Sequence, residues 1–153
     1  GKPVQFGPYN LRHPKRDAAI IALAGPLSNF LMAGLSAPIL RLILYFNTGG
    51  VTMSFLASSP TPLSFLVTLL LFLITVTIGL GVFNLVPVPP LDGHWILGAF
   101  LPQKTYIAYR QAVRSLGPAL LVFLILPLYG GQSAISYLIN PIIDFFTNLM
   151  LPF

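Results

Sequence analysis

The sequence contains no cysteine and no glutamate, and charged residues make up only 7% of its 153 residues. Without cysteine the chain can form neither disulfides nor thiolate metal sites, and cysteine usage gives no information on the redox compartment. Soluble domains carry about 25% charged residues, so this charge content argues against a soluble protein. The hydrophobic content of 56% instead indicates a multi-span membrane protein. We predict an all-α fold, a polytopic membrane helical bundle, with residues 1–153 as a single membrane domain.

The few basic residues are unevenly placed along the chain. Residues 1–17 hold four Lys or Arg, residues 47–62 hold none, and residues 101–115 hold three. Cytoplasmic loops of membrane proteins carry the excess of Lys and Arg, so residues 1–17 are predicted to form a cytoplasmic juxtamembrane loop. No basic patch is interleaved with aromatic residues as a nucleic-acid binder would require, and we expect membrane lipids, not nucleic acid, as partners.

Two apolar stretches are long enough to cross a bilayer, for which about 20 apolar residues suffice. They predict membrane helices at residues 18–46 and 63–86. A basic helix with an aromatic edge is predicted at residues 103–115, lying along the lipid headgroups. Residues 116–153 are predicted to form C-terminal apolar helices, interrupted at Gly117-Pro118 and at Pro127. The sequence leaves three alternatives open for these helices, which are to cross the membrane, to re-enter it or to lie at its surface.

Three prolines follow the second apolar stretch and precede Asp92 and Gly93. Each proline removes a backbone donor and fixes φ, so the helix is predicted to end and the chain to run extended. Irregular backbone at membrane depth is tolerated only where protein buries it or a watery cavity receives it. An ionisable residue in such a place is by default a candidate functional residue. Residues 87–93 are therefore the predicted site segment.

The same stretch carries a specific motif. Residues 84–93 read N-L-V-P-V-P-P-L-D-G and match N-x-x-P-x-P-x-L-D-G at every fixed position. This pattern resembles the second signature of the site-2 protease family, the intramembrane zinc metalloproteases. The A-G-P-x-x-N run at residues 24–29 is also typical of that family. Residues 1–17 resemble the loop that precedes the third membrane helix in its bacterial members.

The resemblance implies an enzyme that cleaves transmembrane protein substrates with Zn²⁺, in a bacterial or archaeal cell membrane. It implies Asp92 as a zinc ligand and places Asn84 near the metal and the substrate. The other two ligands and the general base would come from H-E-x-x-H on a helix, which this sequence lacks. Its only histidines are His13 and His94. We therefore expect a fragment, cut after the first catalytic helix, that does not hydrolyse peptides by itself.

Substrate contacts are predicted at Asn84, Val86, Pro87 and Val88. An extended, donor-poor strand with free Val86 and Val88 carbonyls could pair with an unwound substrate. The Asn84 amide could donate a hydrogen bond to the scissile carbonyl or the oxyanion, which would make it catalytic. Alternatively, Asn84 caps exposed helix carbonyls.

The remaining polar residues have simpler interpretations. Asn29 is predicted to form an interhelical hydrogen bond, and Asp17 to cap the first membrane helix. His94 is predicted to pair with backbone or with Asp92, so it is not counted as a ligand. Asp144 lies either at headgroup level or towards a cavity. Two other functions remain open for the whole chain: a non-catalytic membrane scaffold or protease-like pseudoenzyme, and a transporter or channel subunit whose broken helix lines a pathway.

Overall fold

The computed structural model describes residues 12–46, 61–127 and 131–150. These residues form five helices, and the described part of the chain contains no strand beyond an isolated bridge between Pro127 and Ser133. The all-α prediction is therefore confirmed for the described residues. The helices are α1 Pro14–Phe46, α2 Pro62–Asn84, α3 Gly93–Phe100, α4 Gln103–Ile125 and α5 Ala134–Met150.

The core lies mainly between α1 and α2. Small side chains on α1, such as Ala33 and Ala37, are buried against larger ones on α2, such as Ile74 and Ile78. Small residues let two helix backbones approach closely. A Cβ built at Gly81 would lie 3.1 Å from the ring of Phe30, so the two helices are also in close contact near the carboxyl end of α2.

The outer faces of α1 and α2 are apolar as well. Leu31, Phe65 and Phe72 are 63%, 71% and 66% exposed. Soluble monomers rarely expose apolar patches of more than a few hundred Å². Both helices are long and apolar enough to cross a membrane.

The first helix begins earlier than predicted. Residues 14–17 were predicted to belong to the juxtamembrane loop, and this is wrong, because Pro14 occupies the first helical position. Proline is favoured there, since its missing N–H has no intrahelical partner in any case. The His13 N–H donates to the Asp17 carboxylate at 3.0 Å. Asp17 thus accepts a hydrogen bond from the residue before the helix while lying within its first turn, and it is not the N-cap residue that we predicted. Residues 1–11 of the predicted loop lie outside the described residues.

The second helix is slightly shifted from its predicted bounds of 63–86. It begins with a capping box, in which Thr61 and Ser64 each accept the other's backbone N–H, at 3.1 and 2.9 Å. It ends at Asn84, two residues early, because the next residues fold into turns.

The predicted break at Gly117-Pro118 is wrong, because α4 runs as a single helix to Ile125. Pro118 removes one intrahelical hydrogen bond, which this helix tolerates. Gly117 is buried, and a Cβ built there would lie 3.1 Å from the Pro89 ring. The basic residues of 103–115 therefore lie on the same rigid helix as an apolar segment that reaches the core through Leu121 and Leu124.

The last helix, α5, closes the core on the side of α2. Ile135 and Ile139 are buried, and the Phe146 ring stacks on Phe30 with 5.4 Å between centroids. Asp144 is exposed. Residues 128–130 and 151–153 of the predicted C-terminal segment lie outside the described residues.

Candidate functional site

The segment that joins α2 to α3, residues 85–92, is named the site loop. It is folded into consecutive turns, so the prediction of an extended segment is wrong. The Val88 N–H donates to the Val86 carbonyl at 2.8 Å, and the Leu91 N–H donates to the Val88 carbonyl at 2.9 Å. The Pro89–Pro90 peptide bond is cis. Val86 and Val88 are only 7% and 6% exposed, so their side chains belong to the core.

Gly93 lets the site loop fold back onto the start of α3. A Cβ built at Gly93 would lie 2.5 Å from the Val86 carbonyl oxygen and would overlap the Leu85 carbonyl even more closely. Both obstacles are backbone atoms, which cannot rotate away. The final glycine of the motif is thus required for close approach of the backbone, which the sequence pattern alone did not explain.

Asp92 is the N-cap residue of α3, but its side chain makes no capping hydrogen bond. The carboxylate instead lies against α1. Its Oδ2 is 2.9 Å from the position that a Cβ on Gly25 would occupy. Gly25 therefore leaves the space in which the Asp92 carboxylate sits. The A-G-P-x-x-N run was predicted only to be typical of the family, with Asn29 as an interhelical hydrogen-bonding residue, and its contact with Asp92 was not predicted.

Asn29, from the same run, lies at the contact between α1 and α2. Its Cβ is 3.4 Å from the position of a Cβ on Gly81. The predicted interhelical hydrogen bond does not form, since the Asn29 side chain has no hydrogen bond to any described residue. Asn29 thus contributes packing near the site.

Asn84 is the last residue of α2 and is half-buried. Backbone N–H groups satisfy two of the last carbonyls of α2. The Leu85 N–H donates to the Val82 carbonyl and the Val86 N–H to the Phe83 carbonyl, both at 3.1 Å. Within the described residues the Asn84 side chain makes no hydrogen bond, so it caps no carbonyl there. Its amide is available for another partner.

Helix α4 also supports the site loop, through contacts that the sequence did not predict. The Tyr109 hydroxyl donates to the Pro87 carbonyl at 2.8 Å, and Gly117 contacts Pro89. Tyr109 appeared in the sequence only as part of an aromatic edge. The fold thus surrounds the site loop with α1, α3 and α4.

His94 behaves as predicted. Its Nδ1 is hydrogen-bonded with the Leu91 carbonyl, and its ring lies 4.7 Å from that of Trp95. Burial raises the pKa of Asp92 above its usual value, and the neighbouring His94 offsets part of that rise. Burial lowers the pKa of His94.

The metal-binding capacity of these residues is limited. The described residues contain no group of three or more His, Cys, Asp or Glu side chains that could hold a metal ion. A catalytic zinc site has three protein ligands and one open position. The uncapped Asp92 carboxylate fits one ligand position, and the described chain does not complete the set.

Comparison with known proteins places the chain in a family of peptidases. Residues 45–128, more than half of the chain, match the model of peptidase family M50. The chain belongs to this family, the site-2 protease family, as the motif in residues 84–93 indicated.

One curated relative comes from Bacillus subtilis (strain 168) and is named "Putative zinc metalloprotease YwhC". It is 30% identical over 125 residues, which cover 82% of this chain and 52% of that protein. The chain thus spans about half the length of this relative. No solved structure matches the chain.

The family resemblance implies zinc binding by Asp92, and we expect Gly25→Ala in the full-length protein to weaken that binding while leaving the fold intact. The added methyl group would come within 2.9 Å of Asp92 Oδ2, and the carboxylate can rotate away at little cost. Zinc content at limiting free zinc and the thermal unfolding temperature should be measured together. A matched control is Gly34→Ala on the same helix, where a Cβ meets nothing within 4 Å. Equal zinc content in the two variants would contradict the prediction.

Proposed function

We propose that the protein is an intramembrane zinc metalloprotease of the site-2 type, and that this chain supplies Asp92 as one zinc ligand. The observation that carries the proposal is the Asp92 carboxylate, held by the site loop against Gly25 without a capping hydrogen bond, in a chain of family M50. Another segment of the full-length protein would contribute the H-E-x-x-H helix. Bound zinc would lower the pKa of a water molecule towards ~7 and polarise the scissile carbonyl.

The proposal includes a membrane location, with α1 and α2 crossing the bilayer. The exposed apolar faces of both helices support it, because lipid is the solvent that would cover them without cost. The distribution of Lys and Arg places the start of α1 and the basic part of α4 on the cytoplasmic side. Asp92, which follows the end of α2, would then lie near that side. The bundle would be multi-pass, in a bacterial or archaeal cell membrane.

Fewer residues are proposed to contact substrate than the sequence predicted. Val86 and Val88 are buried, and their carbonyls accept hydrogen bonds inside the site loop. The Pro87 carbonyl accepts the Tyr109 hydroxyl. These bonds argue against strand pairing along residues 86–88. We retain Asn84, whose amide is available, and the exposed Pro87 ring as contacts for an unwound transmembrane substrate.

The direct test uses the purified full-length protein and a membrane-embedded reporter substrate in liposomes. Cleavage should stop when a zinc chelator is added and return with Zn²⁺. Cleavage that survives complete removal of zinc would overturn the proposed chemistry. A full-length protein that neither binds zinc nor cleaves would instead be a non-catalytic scaffold.

We expect Asn84→Ala to lower kcat by about 10²-fold, the effect of removing one oxyanion donor. Zinc content and thermal stability should stay nearly unchanged, because the Asn84 side chain holds no described helix carbonyl. Asn148→Ala, at an exposed position of α5, is the control and should keep full activity. Loss of the fold or of zinc in Asn84→Ala would show that Asn84 is structural.

A further inference from the structure

A second concave site, which Asp92 does not line, lies between the start of α1 and α4. It is a cavity of about 790 Å³, within the range of about 300–1,000 Å³ typical of ligand pockets. We call it the basic cavity, because its lining includes four Lys or Arg side chains and no acidic residue. The cations are Lys15, Arg16, Arg110 and Arg114.

The lining of the basic cavity carries an excess of positive charge, because no carboxylate of the described residues lines it. The acidic residues of the sequence are Asp17, Asp92 and Asp144, and none of them lines the cavity. Asp17, the nearest along the chain, accepts the backbone N–H of His13. Gathering like charges around one cavity is unfavourable unless an anion occupies it. The charge pattern therefore points to an anionic ligand.

Aromatic rings hold two of the cations in place. The Lys15 Nζ lies 4.3 Å from the centre of the Tyr106 ring and donates to the Leu101 carbonyl at 3.2 Å. The Arg110 guanidinium lies 5.7 Å from the Tyr106 ring and 5.8 Å from the Trp95 ring. Cation–π contacts use the faces of these groups and leave guanidinium N–H donors for a ligand. Preorganised cations lose less entropy on binding.

We propose that the basic cavity binds the phosphate of an anionic membrane phospholipid. Planar guanidinium groups match phosphate oxygens, and basic pockets beside membrane helices recognise lipid headgroups.

The position of the basic cavity along α1 also agrees with a lipid headgroup as its ligand. Lys15 and Arg16 come just before residues 18–40 of α1, which carry no charge. That run is about 34 Å long at a rise of about 1.5 Å per residue, close to a hydrocarbon core of about 30 Å. The cavity then lies at headgroup level.

A lipid in the basic cavity would connect two parts of the molecule that surround the site loop. Lys15 and Arg16 belong to α1, which also carries Gly25. Arg110 and Arg114 belong to α4, whose Tyr109 donates to the Pro87 carbonyl. One phosphate contacting both helices would hold them together. The inference rests on the membrane location proposed above but not on proteolysis, so its test requires no cleavage.

The experiment measures lipid binding to the full-length protein in neutral detergent by native mass spectrometry, titrating phosphatidylglycerol or phosphatidylcholine. We expect phosphatidylglycerol to bind preferentially. The double variant Arg110→Gln, Arg114→Gln should bind it about tenfold more weakly or worse, since charge-assisted hydrogen bonds are lost. The control is Arg12→Gln, Lys104→Gln, which removes the same charge from exposed residues outside the cavity and should bind almost normally.

Several results would overturn the proposal. Equal weakening in both double variants would indicate diffuse attraction. Because both lipids carry a phosphate, equal binding of the two would exclude selectivity for a net anionic headgroup. Full displacement of phosphatidylglycerol by equimolar inorganic phosphate would reveal a site for soluble phosphate. If circular dichroism shows that the Gln variant is misfolded, Arg110→Lys, Arg114→Lys replaces it. That variant keeps the charge but loses the guanidinium geometry, so unweakened binding would contradict the proposal.

Discussion

Asp92→Asn in the full-length protein should remove bound zinc and abolish cleavage of a membrane substrate. The variant keeps the size of the side chain and its place beside Gly25, but it replaces the anionic ligand by a neutral amide. Loss of an outer-shell partner alone costs roughly 10–100-fold in metal affinity or activity, so loss of a direct ligand should cost more. Zinc per protein by elemental analysis and cleavage in liposomes check the result.

The matched control is Asp144→Asn. Asp144 is an exposed carboxylate on α5, so the substitution removes the same charge from a place unrelated to the site loop. It should leave zinc content and cleavage unchanged. Zinc content and activity of Asp92→Asn that equal those of this control would show that Asp92 is not a ligand.

Gly93→Ala should prevent the site loop from closing, and with it both stable folding and zinc binding. The new methyl group would overlap the Leu85 carbonyl and lie 2.5 Å from that of Val86. Overpacking typically costs about 1–3 kcal/mol, and an obstacle made of backbone places this variant at the upper end or beyond. The unfolding temperature in detergent and the zinc content should both fall.

Gly34→Ala separates this clash from the general effect of alanine. Gly34 lies inside α1 with open space at its Cβ position, and alanine there should stabilise the helix by up to about 1 kcal/mol. The two Gly→Ala variants should therefore shift stability in opposite directions. A Gly93→Ala protein as stable as Gly34→Ala would mean that the site loop adopts another conformation.

The two site variants also differ from each other in a useful way. Asp92→Asn alters the proposed ligand but leaves the loop backbone intact, so its unfolding temperature should stay close to that of the unmodified protein. Gly93→Ala alters the backbone path and should lower both the unfolding temperature and the zinc content. Zinc content measured with thermal stability thus distinguishes a ligand from a residue that shapes the loop.

The sequence predicted the helical class, the two apolar helices and the family, because each depends on a local signal. Length and hydrophobicity mark the helices, and the fixed positions of residues 84–93 mark the family. The predicted limits of the helices were less accurate. Residues 14–17 were predicted as loop and Gly117-Pro118 as an interruption. Pro14 instead occupies the first turn of α1, and Pro118 lies within a continuous helix that packs on Pro89. The sequence shows where a proline removes a helical hydrogen bond, but it does not show the packing that offsets this loss.

The sequence by itself determined which residue is the candidate zinc ligand: Asp92 stands out as an acidic residue in a proline-rich motif within a chain almost without carboxylates. Only the tertiary structure decided what surrounds it. Gly25 is 67 positions away along the chain, and Tyr109 reaches Pro87 across 22. Neither contact leaves a local pattern. The tertiary structure also determines how the site loop folds. The prolines restrict φ, but they do not specify which carbonyls accept the Val88 and Leu91 N–H groups. Those choices depend on burying Val86 and Val88 in the core, and burial is a property of the whole fold.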